Sequence, residues 1–253
     1  MQRSAQIGIG ILAVAVIGGG IYAATRGGSS TSGKDNYTAA LVTDGGGVDD
    51  RSFNQSAWNG LKAYGKANNL KQGTTGYNYF QSSDSSDIKT NLQTAVKGGY
   101  KLVYGVGFAA APAMNTVAKA NPKTSFAIID AVVPDKNVAS LMFKSEQSSY
   151  LAGVAAAKTT KTNKLGFVGG MESAVVKTFE AGFTAGAKSV NPDIQVDAQY
   201  VGSFTDAGKG KTIAASMYQN GADIIFAAAG GAGAGVFTEA KDLNSEKKAA
   251  DKV

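Results

Sequence analysis

The chain has 253 residues, 43% of them hydrophobic and 17% charged, the balance of a folded protein with a real core. It has no histidine and no cysteine, which excludes Ser-His-Asp and Cys-His triads, disulfides, and the thiolate or imidazole sites of zinc, haem and iron–sulfur proteins. Carboxylate metal sites and lysine chemistry stay open. The net charge of +6 and pI near 9.3 would suit a nucleic-acid partner, but no dense basic cluster exceeds Lys247-Lys248. A scattered lysine surface, or one facing an anionic membrane, explains the charge, and no nucleic acid is expected.

Ile7 to Ala24 runs 18 residues without a charge, between Arg3 and Arg26. As a helix it would span roughly 27 Å, close to the hydrocarbon thickness of a bilayer. Its glycines also suit the core of a signal peptide, and a buried helix of the folded domain is the plain alternative. Gly27-Gly28-Ser29-Ser30-Thr31-Ser32-Gly33 is a flexible tether. Residues 1–26 are therefore expected to anchor or export the protein, 27–36 to link, and the folded part to lie outside the cytoplasm.

From Tyr37 onward short apolar strands alternate with amphipathic helices. Strand Tyr37–Asp44 leads to helix Ser52–Asn68, whose Phe53, Ala57, Leu61 and Tyr64 share one stripe. Strand Thr75–Phe80 and helix Ser86–Lys97 follow, the latter ended by Gly98-Gly99. Strand Leu102–Val106, helix Ala110–Ala120, strand Ser125–Asp130 and a short strand Val138–Phe143 complete the first run. The alternation resumes with strand Leu165–Val168, helix Val175–Val190, strand Gln195–Val201, helix Lys209–Asn220, strand Ile224–Ala228 and helix Ala232–Leu243. Strands separated by helices imply parallel sheets covered on both faces.

A repeat underlies the alternation. At an offset of 122, Gly60-Leu61-Lys62-Ala63 aligns with Gly182-Phe183-Thr184-Ala185, and Gly99 to Tyr104 aligns with Gly221 to Phe226. Asp84 falls on Asp206, and Ala118-Lys119 on Ala240-Lys241. Two similar lobes are expected, 37–143 and 144–253, with a cleft between them of the kind that favours ligands. The same offset places strand Ser125–Asp130 on Lys247–Lys252, which reads as a helix end, so the second lobe is expected to be incomplete and the chain truncated; a smaller second lobe is the alternative.

Leu41 to Gln55 reads as a buried strand, a glycine hinge, two acids, and a helix opening with an aromatic and two amides. Ligands of α/β sheets bind at such turns. Phe53, Asn54 and the Asp44 carboxylate are suited to a flat molecule with a polar edge, held by stacking and edge hydrogen bonds. Core packing for Phe53, a helix N-terminal charge interaction for Asp44 and a capping contact for Asn54 are the alternatives. Asp49 and Asp50 read as loop and cap residues. Gly45-Gly46-Gly47 precedes two acids, with no Gly-Lys-Ser/Thr, so it is no phosphate cradle. Gly230-Gly231-Ala232-Gly233 is a better anion nest, or a tight turn.

The run from Val42 to Trp58 resembles the basic membrane protein family, nucleoside-binding lipoproteins that serve ABC importers. Gly105-Val106-Gly107-Phe108, Phe126-Ala127-Ile128-Ile129-Asp130 and Lys164 to Met171 are similar to it as well. The resemblance extends from about Tyr37 to Val253. It implies the two-lobed type I periplasmic-binding-protein fold, each lobe a parallel sheet flanked by helices. Two departures stand out: there is no lipobox cysteine, and members continue beyond this chain's end through a segment that supplies an acid and a lysine to the site.

The resemblance implies a binding site of Asp44, Phe53, Asn54, Gly107, Asp130, Phe204 and Gly230. Phe53 and Phe204 would stack on opposite faces of a purine, Asp44 and Asn54 would meet the base edge, Asp130 the ribose hydroxyls, and Gly230 would let backbone approach the sugar. Phe204 also follows a strand end, whereas for Asp130 a turn or cap role is the alternative. The expected protein is a monomeric, membrane-tethered receptor that closes on purine nucleosides and delivers them to an ABC permease, with no catalysis, cofactor or metal. A receptor for another solute such as a sugar is the runner-up. A nucleoside hydrolase is a third reading, for which Asp44, Asp49 and Asp50 are the available acids.

Overall fold

The computed structural model describes residues 13–17, 20–24 and 37–245. Its larger sheet is built around β3 (Ala39–Val42), a strand with every residue buried. A run apolar on both sides must be covered on both faces, and the sheet supplies that. Parallel neighbours β4 (Tyr77–Phe80) and β5 (Leu102–Val106) flank it, followed by β6 (Ser125–Ile129) and β7 (Val138–Leu141), in the order β4-β3-β5-β6-β7. Alternate side chains of β3 then serve two cores. Ala40 and Val42 pack with Ile88 and Leu92 of α2 (Ser85–Lys97) and Met114 of α3 (Ala111–Ala120). Ala39 and Leu41 pack with Trp58 and Leu61 of α1 (Phe53–Ala67).

The second sheet centres on β8 (Lys164–Gly169), with β9 (Gln195–Tyr200) and β10 (Ile224–Ala228) parallel on either side. Helices α5 (Ala174–Val190), α6 (Ala207–Gln219) and α7 (Gly233–Asn244) complete the strand–helix units. The trio β9-β8-β10 repeats β4-β3-β5 in order and direction, and the repeat extends to single hydrogen bonds. After α2, the amides of Gly98, Gly99 and Tyr100 donate to Thr94, Val96 and Ala95. After α6, those of Asn220, Gly221 and Ala222 donate to Ser216, Tyr218 and Met217. Asp84 and Asp206 cap the starts of these helices through their side chains. Two lobes built on one plan follow from this agreement. The larger sheet adds β6 and β7 beyond β5; among the described residues the smaller sheet has no counterpart to them, and residues 247–252 lie outside the description.

Two features differ from the sequence expectation. Helix α4 (Ser145–Thr159) occupies a stretch assigned no element. Its residues are mostly serine, alanine and glycine, so it carries no apolar stripe to read. It packs through small residues on α5, so closely that a Cβ on Gly153 would lie 2.1 Å from the Phe183 carbonyl oxygen. Near the N-terminus, β1 (Ala13–Ile17) and β2 (Gly20–Ala24) pair as an antiparallel ribbon within the stretch expected to form one helix. Val14, Val16, Ile17, Ile21 and Tyr22 are residues that favour extended backbone. Among the described residues no helix is long and apolar enough to cross a membrane. The rest of the anchor and the tether fall outside the described residues.

Candidate functional site

The carboxyl ends of strands from both sheets face a cavity of about 300 Å³. The first lobe contributes Asp44, Phe53, Gly107, Phe108 and Asp130; the second contributes Met171, Ser173, Phe204 and Thr205. Crevices beyond strand carboxyl ends are the usual ligand sites of α/β sheets, and the volume is at the lower bound of small-molecule pockets.

Asp44, just past β3, is held by a dense set of hydrogen bonds. Its Oδ1 accepts from the Gly46 amide at 2.8 Å and from Asn54 Nδ2 at 2.7 Å. Asn54 is 1% exposed and spends its side chain entirely inside the loop: Oδ1 accepts from the Asp44 amide at 3.3 Å, and Nδ2 also donates to Asp50 Oδ2 at 2.9 Å. Asn54 thus stands behind Asp44 and does not line the cavity, in contrast to the expected contact with a base edge. The reason is helical geometry: consecutive residues point about 100° apart, so a helix that turns Phe53 toward the cavity turns Asn54 into the loop.

Asp130 follows β6 with φ of +59°, a left-handed conformation that Asp tolerates better than most residues. Its amide donates to the Leu141 carbonyl at 2.9 Å, which fixes the backbone while the side chain faces the cavity. Burial holds its carboxyl above the ordinary aspartate value, with no hydrogen bond to offset it. Gly107, with φ of +80°, lies against Asp44; a Cβ there would sit 3.5 Å from Asp44 Oδ2. That oxygen is therefore on the cavity side of the carboxylate.

The aromatic rings form two pairs across the lobes. Phe53 of α1 meets Phe179 of α5 edge-on with centroids 6.4 Å apart, and Phe108 meets Phe204 edge-on at 6.2 Å. Phe204 packs against Gly170, where a Cβ would come within 2.2 Å of its ring; only glycine permits that seat. Gly230 opens the turn after β10 at φ of +57° and supports Phe204 from behind, its own Cβ position being 3.2 Å from the Phe204 carbonyl oxygen. Gly230 is not among the residues lining the cavity, unlike the expectation that it meets a sugar. Phe108, Ser173 and Met171 do line it and escape sequence reasoning. Phe108 sits within the segment Gly105 to Phe108 already singled out, but nothing in its spacing points to a partner in the other lobe. Among the described residues no group of three or more carboxylates is placed to hold a metal ion.

Two parallel-sheet lobes with a shared cavity at their strand ends have the periplasmic-binding-protein-like fold of solute-binding proteins. Residues 37–251 match the Bmp family, described as ABC transporter substrate-binding protein PnrA-like, and the chain belongs to that family. It is 57% identical over 248 residues to the ABC transporter nucleoside-binding protein BmpA of Lactococcus lactis subsp. cremoris, an alignment covering 97% of this chain and 70% of that one. It is 56% identical over 222 residues to the CD4+ T-cell-stimulating antigen of Listeria innocua, covering 87% of this chain and 62% of the relative. Among solved structures, an ABC transporter solute-binding protein from Aeropyrum pernix K1 superposes with a TM-score of 0.75 at 27% identity, covering 82% of this chain and 59% of that one. The chain thus spans well under the full length of the relatives it matches.

Proposed function

We propose that this protein is the substrate-binding component of an ABC importer and that it captures purine nucleosides, unaltered, in the cavity between its lobes. The observation that carries the proposal is the make-up of that cavity: Phe53 and Phe204, one ring from each lobe, line it together with the Asp44 and Asp130 carboxylates. A purine offers two apolar faces for rings and a donor-bearing edge for Asp44, while a ribose offers vicinal hydroxyls for Asp130. Base–aromatic stacking is worth about 1–3 kcal/mol per base, and a carboxylate left dry and unpaired would penalise a ligand lacking the sugar. Gly107 would let the ligand approach the backbone beside Asp44. The family match and the name of the Lactococcus relative support the ligand class.

In this proposal the lobes close on the ligand because it binds both at once, and the differential affinity for the closed form drives the change. The closed monomer then docks on a membrane permease outside the cytoplasm, held to the membrane by its N-terminal segment. A thermal-shift screen of adenosine, guanosine and inosine against sugars and amino acids tests the ligand class. Stabilisation by the nucleosides alone is expected. Stabilisation by a sugar and not by nucleosides, or release of free base on incubation, would overturn it.

A further inference from the structure

Asp50 is absent from the cavity wall, yet its carboxylate is the most heavily used acceptor in the chain's first turn-and-helix unit. Oδ1 accepts from the backbone amides of Ser52 at 2.8 Å and Gln55 at 3.0 Å. Oδ2 accepts from the Asn54 amide at 3.1 Å and from Asn54 Nδ2 at 2.9 Å. Four donors converge on one carboxylate and fill its acceptor sites. Three of them are backbone groups of the opening of α1, so part of the role is to cap that helix. The fourth is a side chain that also holds Asp44.

The two hydrogens of Asn54 Nδ2 are both committed, one to Asp44 Oδ1 and one to Asp50 Oδ2. Its Oδ1 is committed to the Asp44 amide. This arrangement has a single self-consistent orientation of the Asn54 amide. Turned over, its oxygen would face both carboxylates and its NH₂ would face the Asp44 N–H. With the amide fixed, Asp44 Oδ1 receives two donors, Asn54 Nδ2 and the Gly46 amide, and is directed into the protein. Oδ2 is left on the Gly107 side, facing the cavity.

We infer that Asp50 is a positioning residue for ligand recognition: acting through Asn54, it orients Asp44 so that one carboxylate oxygen is presented to a single N–H donor on the base edge. The inference rests on the nucleoside-binding proposal above and deepens it by naming what sets its reading head. Asp50→Asn is the informative change. Whichever way the new amide turns, an NH₂ replaces an oxygen that two donors now share. If that NH₂ faces Asn54, the Asn54 amide must turn over, and its oxygen then repels Asp44 Oδ1.

The test compares adenosine with purine riboside, the same nucleoside without its 6-amino donor, by calorimetry on the full chain. The wild type is expected to favour adenosine by about tenfold, the size of one hydrogen bond to a charged group. Asp44→Asn should erase that preference. Asp50→Asn should reduce it severalfold while purine riboside binding changes less, a selective effect that loss of a helix cap alone would not produce. Asp50→Ser, which keeps one capping acceptor, should behave the same way and serves if the first variant does not fold. An unchanged preference in a folded Asp50 variant overturns the inference and leaves the nucleoside proposal standing, as does a wild type that binds both ligands equally. Failure of both Asp50 variants to fold makes Asp50 a stability residue only and also overturns it. A wild type that binds neither nucleoside overturns the functional proposal and this inference together.

Discussion

Phe108 and Phe204 follow strands of different sheets and meet edge to face, 6.2 Å between centroids, in the lining of a shared cavity. Phe53 and Phe179 make the companion contact at 6.4 Å. Each pair joins a cavity-lining ring to the opposite lobe, so in the proposed mechanism ligand binding and lobe closure would act on the same side chains. Aromatic pairs of this geometry contribute about 0.5–1.5 kcal/mol beyond area burial.

Removing a stacking ring should cost most. Phe53→Ala or Phe204→Ala is expected to weaken adenosine binding tenfold or more, in line with about 1–3 kcal/mol for base stacking. Phe179→Ala, outside the cavity lining, should weaken it only a few-fold by loosening the closed form. Calorimetry on the three variants checks the ranking, and equal losses would contradict it.

Gly170 offers a test of Phe204 that leaves the ring in place. Gly170→Ala puts a methyl group where the Phe204 ring now lies, 2.2 Å from its nearest atom. The ring must move toward the cavity or away from it, and tenfold weaker nucleoside binding with near-native far-UV circular dichroism is the expected outcome.

Acidity should act through Asp130. Its carboxyl titrates above the ordinary aspartate value because burial disfavours the charge. Ribose hydroxyls donating to the ionised form would favour that form, so binding should release protons and affinity should fall as pH drops through the raised value. For the unliganded protein the sign is opposite: a raised folded-state pKa makes the favourable contribution to stability full below the unfolded value and lost as pH rises through the folded one. Asp130→Asn should therefore raise the melting temperature of the free protein at neutral pH while abolishing the pH dependence of binding. Melting curves and calorimetry at neutral and weakly acidic pH read both effects.

The α4–α5 interface is expected to be intolerant of volume. Gly153→Leu drives a side chain into backbone that lies 2.1 Å from even a Cβ. Overpacking of this kind costs about 1–3 kcal/mol or more, and a drop in melting temperature with the first lobe's secondary structure retained is the outcome to look for.

Most elements of this fold are legible in the sequence because buried strands and striped helices leave strong periodic signals. Leu102–Val106 and Ile224–Ala228 match their observed bounds residue for residue. Helix α4 was hidden because its buried face is made of small residues, Ser145, Ser149, Gly153 and Ala156, while the larger Tyr150 and Leu151 stay exposed, so no apolar stripe marks the packed side. The ribbon β1–β2 shows the converse problem: an uninterrupted apolar run carries no periodicity to tell strand from helix. In the site, Asp44, Phe53, Gly107, Asp130 and Phe204 come together from four segments; the turn after a strand made Asp44 and Phe53 visible and position agreed with the family resemblance for Phe204, whereas Gly107 and the role of Asp130 came from the resemblance. Asn54 and Gly230 follow the same rule by position, but one is rotated inward by the helix and the other is covered by Phe204. The left-handed backbone of Asp130 depends on its bond to Leu141 in the neighbouring strand, and the partners of Phe53 and Phe108 on contacts between lobes, none of which a local pattern encodes.

The internal duplication bears on how a guest is seated. At the shared offset of 122, Phe53 corresponds to Val175 and Phe204 corresponds to Ser82. Val175 lines the cavity as an aliphatic wall, and Ser82 is fully buried. Where one half carries an aromatic ring, its counterpart in the repeat carries valine or serine, so the two halves do not offer equivalent rings to the cavity. A symmetric clasp would accept a planar molecule either way round; under the proposed binding mode this lopsided one would offer a different surface to each face and end, and so would distinguish head from tail before any polar group is read.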